Sequence, residues 1–405
     1  MTSLLQETTL DNGLHIVAET SNTAASAAIG FFVKTGARDE DSSLMGVSHF
    51  LEHMMFKGSK NRSAQEVDLA FDDLGAQHNA FTSSEMTAFW GASLPESIGE
   101  VHDILADILR PALRQEDFDT EKNVILEEIA MYNDQPFWVL YEQAMEQYYG
   151  DHPLGHRVLG TPETITTMRR DAMQTYFDRR YSADNTIVAM TGNMQFDEMV
   201  CRIEDTCGSW SRTGATREEV VVSRAAGKCE VNIPELRQHY LLMVMPGVSA
   251  QDDLRYAAAA LASILGGGDG SRLHWALIDT GLAEEAAANV DASDGYGEQM
   301  AYAVCSPCNA EKVASIMLKE LGKLATSLTQ DDLKRVVAKA ATAAAVGSEM
   351  PAGGMQRLGG LMTTTGVYRS LEDELHELES LTLDDLRNAA EVFPWEPLLV
   401  ASTQH

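Results

Sequence analysis

The sequence of 405 residues has few cysteines, few basic side chains and no long apolar run. Five cysteines, an odd number, do not make the disulfide framework of a small secreted domain. Thirty basic against 61 acidic side chains give a net charge of −31. This charge argues against nucleic acid and anionic membranes as partners, because both are densely negative. With no 18-residue apolar stretch and no signal-like start, we expect a cytoplasmic protein without membrane spans.

The chain has enough apolar residues, 44%, for a sizeable core. Its length suggests two or three domains. The polar stretch at 209–228 is interrupted by Gly and Ser and resembles a linker. We therefore predict one domain at 1–208 and a second at 229–405. Strands and helices are mixed without a strict βαβ rhythm, which favours α+β layers over a Rossmann sheet.

The two halves share a pattern of apolar strand, glycine, acidic turn and helix. In the first half the strand ends near Gly36, and a helix is predicted from about Ser43 to Lys57. In the second half the strand from Leu241 reaches Gly247, and the helix covers Leu254–Leu265. The similar spacing predicts two related domains, with a chance similarity of two such units as the alternative.

The first of these helices, with Ser42 or Ser43 as its predicted N-cap, contains His49-Phe-Leu-Glu52-His53. Residues four apart project from one face of a helix, so both imidazoles can reach one zinc ion. Glu52 points to the same space and can take a proton from a zinc-bound water. The pattern is an H-x-x-E-H motif. The alternative is two histidines that share this spacing by chance.

A third ligand is available on the helix predicted for Gln115–Asn133. Glu121 and Glu128 are seven residues apart and share one of its faces. Glu128 can ligate the metal, and Glu121 can accept the other N–H of a ligand histidine. Helical periodicity alone favours a solvated acidic face here.

Further segments carry a resemblance to a known family. The sequence resembles the pitrilysin/insulinase-type inverzincin peptidases, especially their half-sized, processing-peptidase-like members. That family has a Glu-x6-Glu pair in a helix after the second histidine, at the distance found here. The flanking segments Phe56-Lys-Gly, Asn79-Ala-Phe-Thr-Ser and His152-Pro-Leu-Gly-His-Arg also match. The match covers most of residues 8–205 and continues more faintly into the second half.

The resemblance implies that His49, His53 and Glu128 hold one zinc ion, that Glu52 is the general base and that Glu121 orients the site. It implies two similar α/β-sandwich domains, each a mixed or antiparallel sheet with helices on one side. Together they would form half of a clam-like chamber. The implied activity is a zinc endopeptidase acting on short or unfolded peptides, and a second chain is expected to complete the chamber.

The resemblance also implies a substrate-binding set. Phe56 would line the pocket for the residue after the cut, with ordinary core packing as the alternative. Asn79, Ala80, Phe81 and Thr82 would form an edge strand on which an unfolded peptide pairs by β-augmentation.

The second half departs from the family pattern. Leu277 or Ile278 stands where the family has a substrate-gripping Arg, and Glu284 stands where it has a Tyr. Arg272 and Tyr296 lie nearby, but their spacing does not match. We therefore expect either a homodimer, which we favour, or a heterodimer with an Arg/Tyr-bearing partner. A non-catalytic assembly subunit is the rival from another class, and the intact ligands and base argue against it.

Two other segments affect the interpretation. The region after the ligand Glu, residues 135–141, is aromatic rather than acidic, so we predict no strict preference for arginine near the cut. Cys305 and Cys308 form a CxxC pair without a second ligand pair at zinc-site spacing. The simpler interpretation is two small residues that end a strand.

Overall fold

The computed structural model describes residues 4–217 and 222–404. Residues 218–221, which belong to the predicted linker, lie outside the described part of the chain, as do residues 1–3 and 405. Within the described residues, no helix is both long enough and apolar enough to cross a membrane.

The strands are β1 (Leu4–Thr9), β2 (His15–Thr20), β3 (Ala27–Val33), β4 (Gln77–Thr82), β5 (Thr87–Ser93), β6 (Thr186–Gly192), β7 (Gly227–Asn232), β8 (His239–Pro246), β9 (Glu285–Ser293), β10 (Tyr296–Cys305) and β11 (Leu399–Gln404). The helices are α1 (Val47–Met55), α2 (Ala64–Asp73), α3 (Ile98–Ile108), α4 (Gln115–Asn133), α5 (Pro136–Tyr149), α6 (Pro162–Thr167), α7 (Arg170–Arg180), α8 (Phe196–Cys207), α9 (Arg255–Gly266), α10 (Ala310–Lys323), α11 (Gln330–Gly347), α12 (Pro351–Thr365), α13 (Leu371–Ser380) and α14 (Leu383–Val392).

The first sheet has six strands in the order β1-β2-β6-β3-β5-β4. β2 and β6 run parallel, and every other neighbouring pair is antiparallel. β4 and β5 form an antiparallel hairpin. β4 is the edge strand of this sheet, so one side of its backbone has no strand neighbour among the described residues.

The second sheet repeats this pattern with five strands in the order β7-β11-β8-β10-β9. β7 and β11 run parallel, and the other neighbouring pairs are antiparallel. The sheet ends at the hairpin of β9 and β10. The order matches β2-β6-β3-β5-β4 of the first sheet. The predicted α+β fold with two related domains is therefore confirmed.

The chain divides into two compact units that do not follow its order. The first unit comprises Met1–Ala130, His156–Glu218 and Val346–Arg369, and the second comprises Met131–Gly155, Glu219–Ala345 and Ser370–His405. The first unit therefore includes α12, and the second includes α5. The predicted boundaries at 208 and 229 did not include this exchange, in which each unit takes one helix from the other half of the chain.

The exchanged helices explain why both faces of each sheet are covered. In the first unit the main core lies on one face of the sheet, and Met355, Leu358 and Met362 of α12 pack on the other, around Phe32. In the second unit α5 packs in the same way on the face away from α9. The expectation of helices on one side only was incomplete, because these second faces are apolar and need a cover.

Two local features follow from residue type and spacing. Ser63 caps α2 with a reciprocal capping box to Glu66, which stands three residues later. Cys305 is the buried last residue of β10 and Cys308 is exposed, and both are free thiols. This is the arrangement expected of small residues at a strand end.

Candidate metal centre

Helix α1 carries the H-x-x-E-H motif and begins later than predicted, at Val47. The prediction that Ser42 or Ser43 caps it was wrong. Those serines belong to a separate 3-10 turn. The first N–H groups of α1 are instead bound by the carboxylate of buried Glu40, which accepts from the Gly46 and Ser48 N–H groups at 2.7 and 2.8 Å.

The structure brings His49, His53 and Glu128 together. Each offers one ligand atom, and these atoms all lie within 4.8 Å of one another. The Glu128 Oε2 atom is 3.8 Å from His49 Nε2 and 3.6 Å from His53 Nε2. No other group of three His, Cys, Asp or Glu side chains within residues 4–217 and 222–404 is close enough to hold a metal.

The two histidines have opposite electrostatic surroundings. Burial, together with the neighbouring His53, lowers the pKa of His49 to about 3, so its ring is neutral at pH 7. Burial also acts to lower the pKa of His53, but the hydrogen bond and charge of Glu121 outweigh it and the pKa is raised. The His49 Nδ1 atom is buried and has no hydrogen-bond partner among the described residues.

Glu121 forms a hydrogen bond with Nδ1 of His53, the ring nitrogen that points away from the ligand cluster. Its Oε1 atom lies 2.8 Å from His53 Nδ1, which fixes the ring and leaves Nε2 toward Glu128. Its Oε2 atom lies 2.7 Å from Lys57 Nζ. Burial acts to raise the pKa of Glu121, and the hydrogen bonds from His53 and Lys57 lower it overall. Sequence reasoning missed Lys57, although its position one turn after His53 was visible.

Glu52 lies beside the ligand cluster and is held by the edge strand. The Thr82 hydroxyl donates to Glu52 Oε2 at 2.6 Å. Burial raises the pKa of Glu52, and the Thr82 hydrogen bond opposes that rise. Thr82 was predicted only as part of the substrate strand, so its contact with the base is an additional finding.

The remaining predicted substrate residues lie on β4 and at the end of α1. Asn79 and Phe81 are exposed, whereas Ala80 faces the core of the first unit. Phe56 is half-buried, with its ring centroid 6.2 Å from that of His78 and 6.3 Å from that of Phe89. Phe56 therefore packs among aromatic side chains next to the ligand helix.

The ligand set fits a zinc ion. Tetrahedral zinc with bonds of about 2.0–2.1 Å places its ligand atoms roughly 3.4 Å apart. The two His–Glu128 separations are close to that distance, and a neutral His49 ring is the form that ligates metal. Two histidines and one carboxylate also match a catalytic zinc set that keeps one position open.

Comparisons with known proteins place this geometry in a family. Residues 15–162, which contain the whole ligand set, match the model for Insulinase (Peptidase family M16). Residues 167–340 match the model described as Peptidase M16 inactive domain. An uncharacterized zinc protease of Streptomyces coelicolor is 32% identical over 399 residues, which cover 95% of this chain and 86% of that protein. The chain belongs to peptidase family M16.

Other relatives of the M16 chain agree. The uncharacterized zinc protease YmxG of Bacillus subtilis is 29% identical and covers 96% of this chain and 95% of its own length. Among solved structures, a protease from Helicobacter pylori has a TM-score of 0.92 at 20% identity, with both chains fully covered. A putative M16-like peptidase from Alicyclobacillus acidocaldarius has a TM-score of 0.84 at 19% identity, covering 100% of this chain and 98% of that chain. At these identities the solved structures show the fold alone.

In the second half of the M16 chain, the Arg and Tyr that lie near the positions of the missing family pair make packing and polar contacts. Arg272 donates to Ser327 Oγ at 2.6 Å and lies 3.5 Å from Asp332. Tyr296 is buried, with its ring centroid 6.3 Å from that of Tyr149. Leu277 is fully buried. These side chains are therefore engaged within the second unit.

Proposed function

We propose that the chain is a zinc-dependent endopeptidase in which His49, His53 and Glu128 hold the ion. The convergence of these three ligand atoms beside the Glu52 carboxylate is the observation that carries the proposal. The zinc protease names of its relatives support the same chemistry. A non-catalytic role is disfavoured because ligands and base are all in place.

The chain's own residues would divide the work of peptide hydrolysis. A bound zinc ion supplies Lewis acidity, which polarises a carbonyl and acidifies water. The Thr82 hydroxyl donates to Glu52 Oε2 and so orients the carboxylate, which would accept the proton of the attacking water and pass it to the leaving amine. Glu121 keeps the His53 ring in the orientation that presents Nε2.

The substrates we propose are short or unfolded peptides. Within the part of the chain that the structure describes, no strand pairs with the outer backbone side of edge strand β4, and an extended peptide can pair there. Main-chain pairing demands little of the peptide sequence. The exposed Asn79 and Phe81 side chains would then lie along the bound peptide. A folded protein offers few free extended segments for this mode.

We also propose that two copies of the chain form the active enzyme. Nothing in the sequence names a companion, and the missing Arg/Tyr pair leaves a heterodimer as the alternative. Measuring the solution mass and activity of the purified chain separates the two. An inactive monomer that becomes active only with a second gene product would overturn the homodimer.

The experiment for the proposed activity is cleavage of a long unstructured peptide. Glu52→Gln should lower kcat at least ~100-fold, because general base catalysis is typically worth that much. It should leave one zinc per chain bound. Glu127→Gln, which removes an exposed carboxylate next to Glu128, is the matched control and should cut at the wild-type rate. Undiminished cutting by Glu52→Gln would refute the assignment of the base.

A further inference from the structure

The segment Thr35–Glu40 connects β3 to the turn before α1 and contains a buried carboxylate. Glu40 is 3% exposed, and its two oxygens accept the Gly46 and Ser48 N–H groups. These groups lie at the start of α1, where N–H groups have no partner within the helix. A carboxylate there also interacts favourably with the helix dipole. Glu40 therefore holds the N-terminus of the ligand helix from outside it.

A second connection runs from the same segment to α1 through side chains. Ser48 Oγ lies 2.8 Å from Tyr176 OH, and Tyr176 OH lies 2.7 Å from Thr35 Oγ1. Arg180 Nε donates to Thr35 Oγ1 at 3.2 Å, and its Nη2 atom lies 2.8 Å from Asp39. All five side chains are buried or nearly so, and this second connection meets α1 at Ser48, as the Glu40 contact does.

The same segment also fixes the β4–β5 hairpin. The Ala37 and Arg38 N–H groups donate to the Ser83 and Ser84 carbonyls at 3.2 and 2.9 Å. A Cβ atom at Gly36 would lie 2.4 Å from the Ser83 carbonyl oxygen, so the turn packs directly on that glycine. Thr82, which holds the base, is the residue immediately before this turn.

We propose that Glu40 is a positioning residue that aligns the ligand helix with the hairpin carrying Thr82. It contacts none of the ligand atoms. It acts by fixing the first turn of α1 to a segment that also fixes the hairpin. The consequence for catalysis rests on the proposed function, whereas the consequence for metal binding and for the stability of the first turn of α1 does not.

The test compares Glu40→Gln with Ser63→Ala. The side-chain amide introduced by Glu40→Gln cannot accept at its nitrogen, so one of the two N–H groups of α1 loses its acceptor. Ser63→Ala removes the cap of α2, another helix of the same unit, and serves as the control for a lost helix cap. Burial raises the pKa of Glu40 to about 8, so the measurements are made near pH 8.5, where the carboxylate form predominates.

Four readouts are expected to change in Glu40→Gln and not in Ser63→Ala. Affinity for Co²⁺, used as a spectroscopic probe, should fall about 10-fold or more, as for other residues that support metal ligands. The visible absorption bands of the Co²⁺ complex should change shape. Amide hydrogen exchange in the first turn of α1 should become faster in the metal-free protein. With peptide substrate, kcat should fall about 10-fold at an unchanged KM.

Each arm also has an outcome that overturns the proposal. Wild-type Co²⁺ affinity together with wild-type exchange in α1 would show that Glu40 is only a buried structural residue. If the wild-type protein cuts no peptide, the proposed function fails while the Co²⁺ and exchange comparisons still decide this point. If Glu40→Gln does not fold, Tyr176→Phe removes the hydroxyl that bonds both Ser48 and Thr35, leaves the two Glu40 contacts in place and should give a smaller loss of Co²⁺ affinity. An unchanged affinity in that variant would then count against the network.

Discussion

His102 on α3 should make the protein less stable in mild acid. Its ring is fully buried and stacks on Phe31 at 5.7 Å between centroids. The Thr206 hydroxyl donates to the Arg202 carbonyl at 2.9 Å, so His102 Nε2–H donates to that hydroxyl at 2.8 Å. The Nδ1 atom is then an unprotonated, buried nitrogen without a hydrogen-bond partner among the described residues. A second proton would have to be buried there.

The size of the effect follows from linkage. Burial lowers the pKa of His102 from 6.5 to about 4. Because the folded pKa lies below the unfolded pKa, the stabilisation is present above pH 6.5 and is lost as the pH falls toward 4. Between about pH 7.5 and 5 this one group should remove ~2 kcal/mol of the free energy of unfolding.

Urea unfolding of the wild type and of His102→Gln at those two pH values measures this loss. Glutamine places a neutral amide near Thr206 and removes the titration, so the pH-dependent loss should be smaller in the variant by ~2 kcal/mol. His376→Gln replaces an exposed histidine on α13 and should keep the wild-type loss. An equal pH-dependent loss in His102→Gln and wild type would show that the buried ring does not titrate as argued.

The remaining predictions concern the site and the packing of α12. Thr82→Val removes the hydrogen bond to the Glu52 carboxylate, which is worth about 1.5 kcal/mol. Steady-state kinetics should therefore show kcat lowered roughly 10-fold at unchanged zinc content. A wild-type kcat in this variant would contradict the role given to Thr82. Gly359→Ala places a Cβ atom 2.1 Å from the Phe32 ring and should lower the free energy of unfolding by ~1–3 kcal/mol. In Gly360→Ala, at the next position, the new Cβ atom meets nothing within 4 Å, so the free energy of unfolding should rise by ~0.5–1 kcal/mol. Urea unfolding measures both changes, and changes of the same sign would refute this packing. Treatment with a chelator should abolish peptide cleavage and added zinc should restore it, and cleavage by metal-free protein would rule out the metal mechanism.

Features set by local sequence were predictable. The bounds of α4, Gln115–Asn133, agree with the prediction because an acidic first turn and helical periodicity are local signals. The Ser63 cap was visible from its spacing to Glu66. The ligand set was visible because four- and seven-residue spacings decide which side chains share a helix face.

Features set by tertiary contacts were not predictable in the same way. Ser42 and Ser43 are good capping residues by type, yet Glu40 caps α1 across a turn whose shape no local pattern specifies. The contact between Thr82 and Glu52 depends on how the hairpin packs against α1. Helices α5 and α12 cover sheets of units interrupted along the chain, and no local pattern in their sequences specifies which sheet they cover.

The exchange of α12 affects when the protein can fold during synthesis. The ligands and base lie within residues 49–128, yet among the described residues the second face of the sheet beside them is covered by α12 and its flanks, within residues 346–369. A nascent chain therefore exposes the apolar surface around Phe32 until residues 346–369 have been made. Folding of the unit that carries the metal ligands is thereby delayed until residues 131–155 and 219–345 of the other unit have also been synthesised.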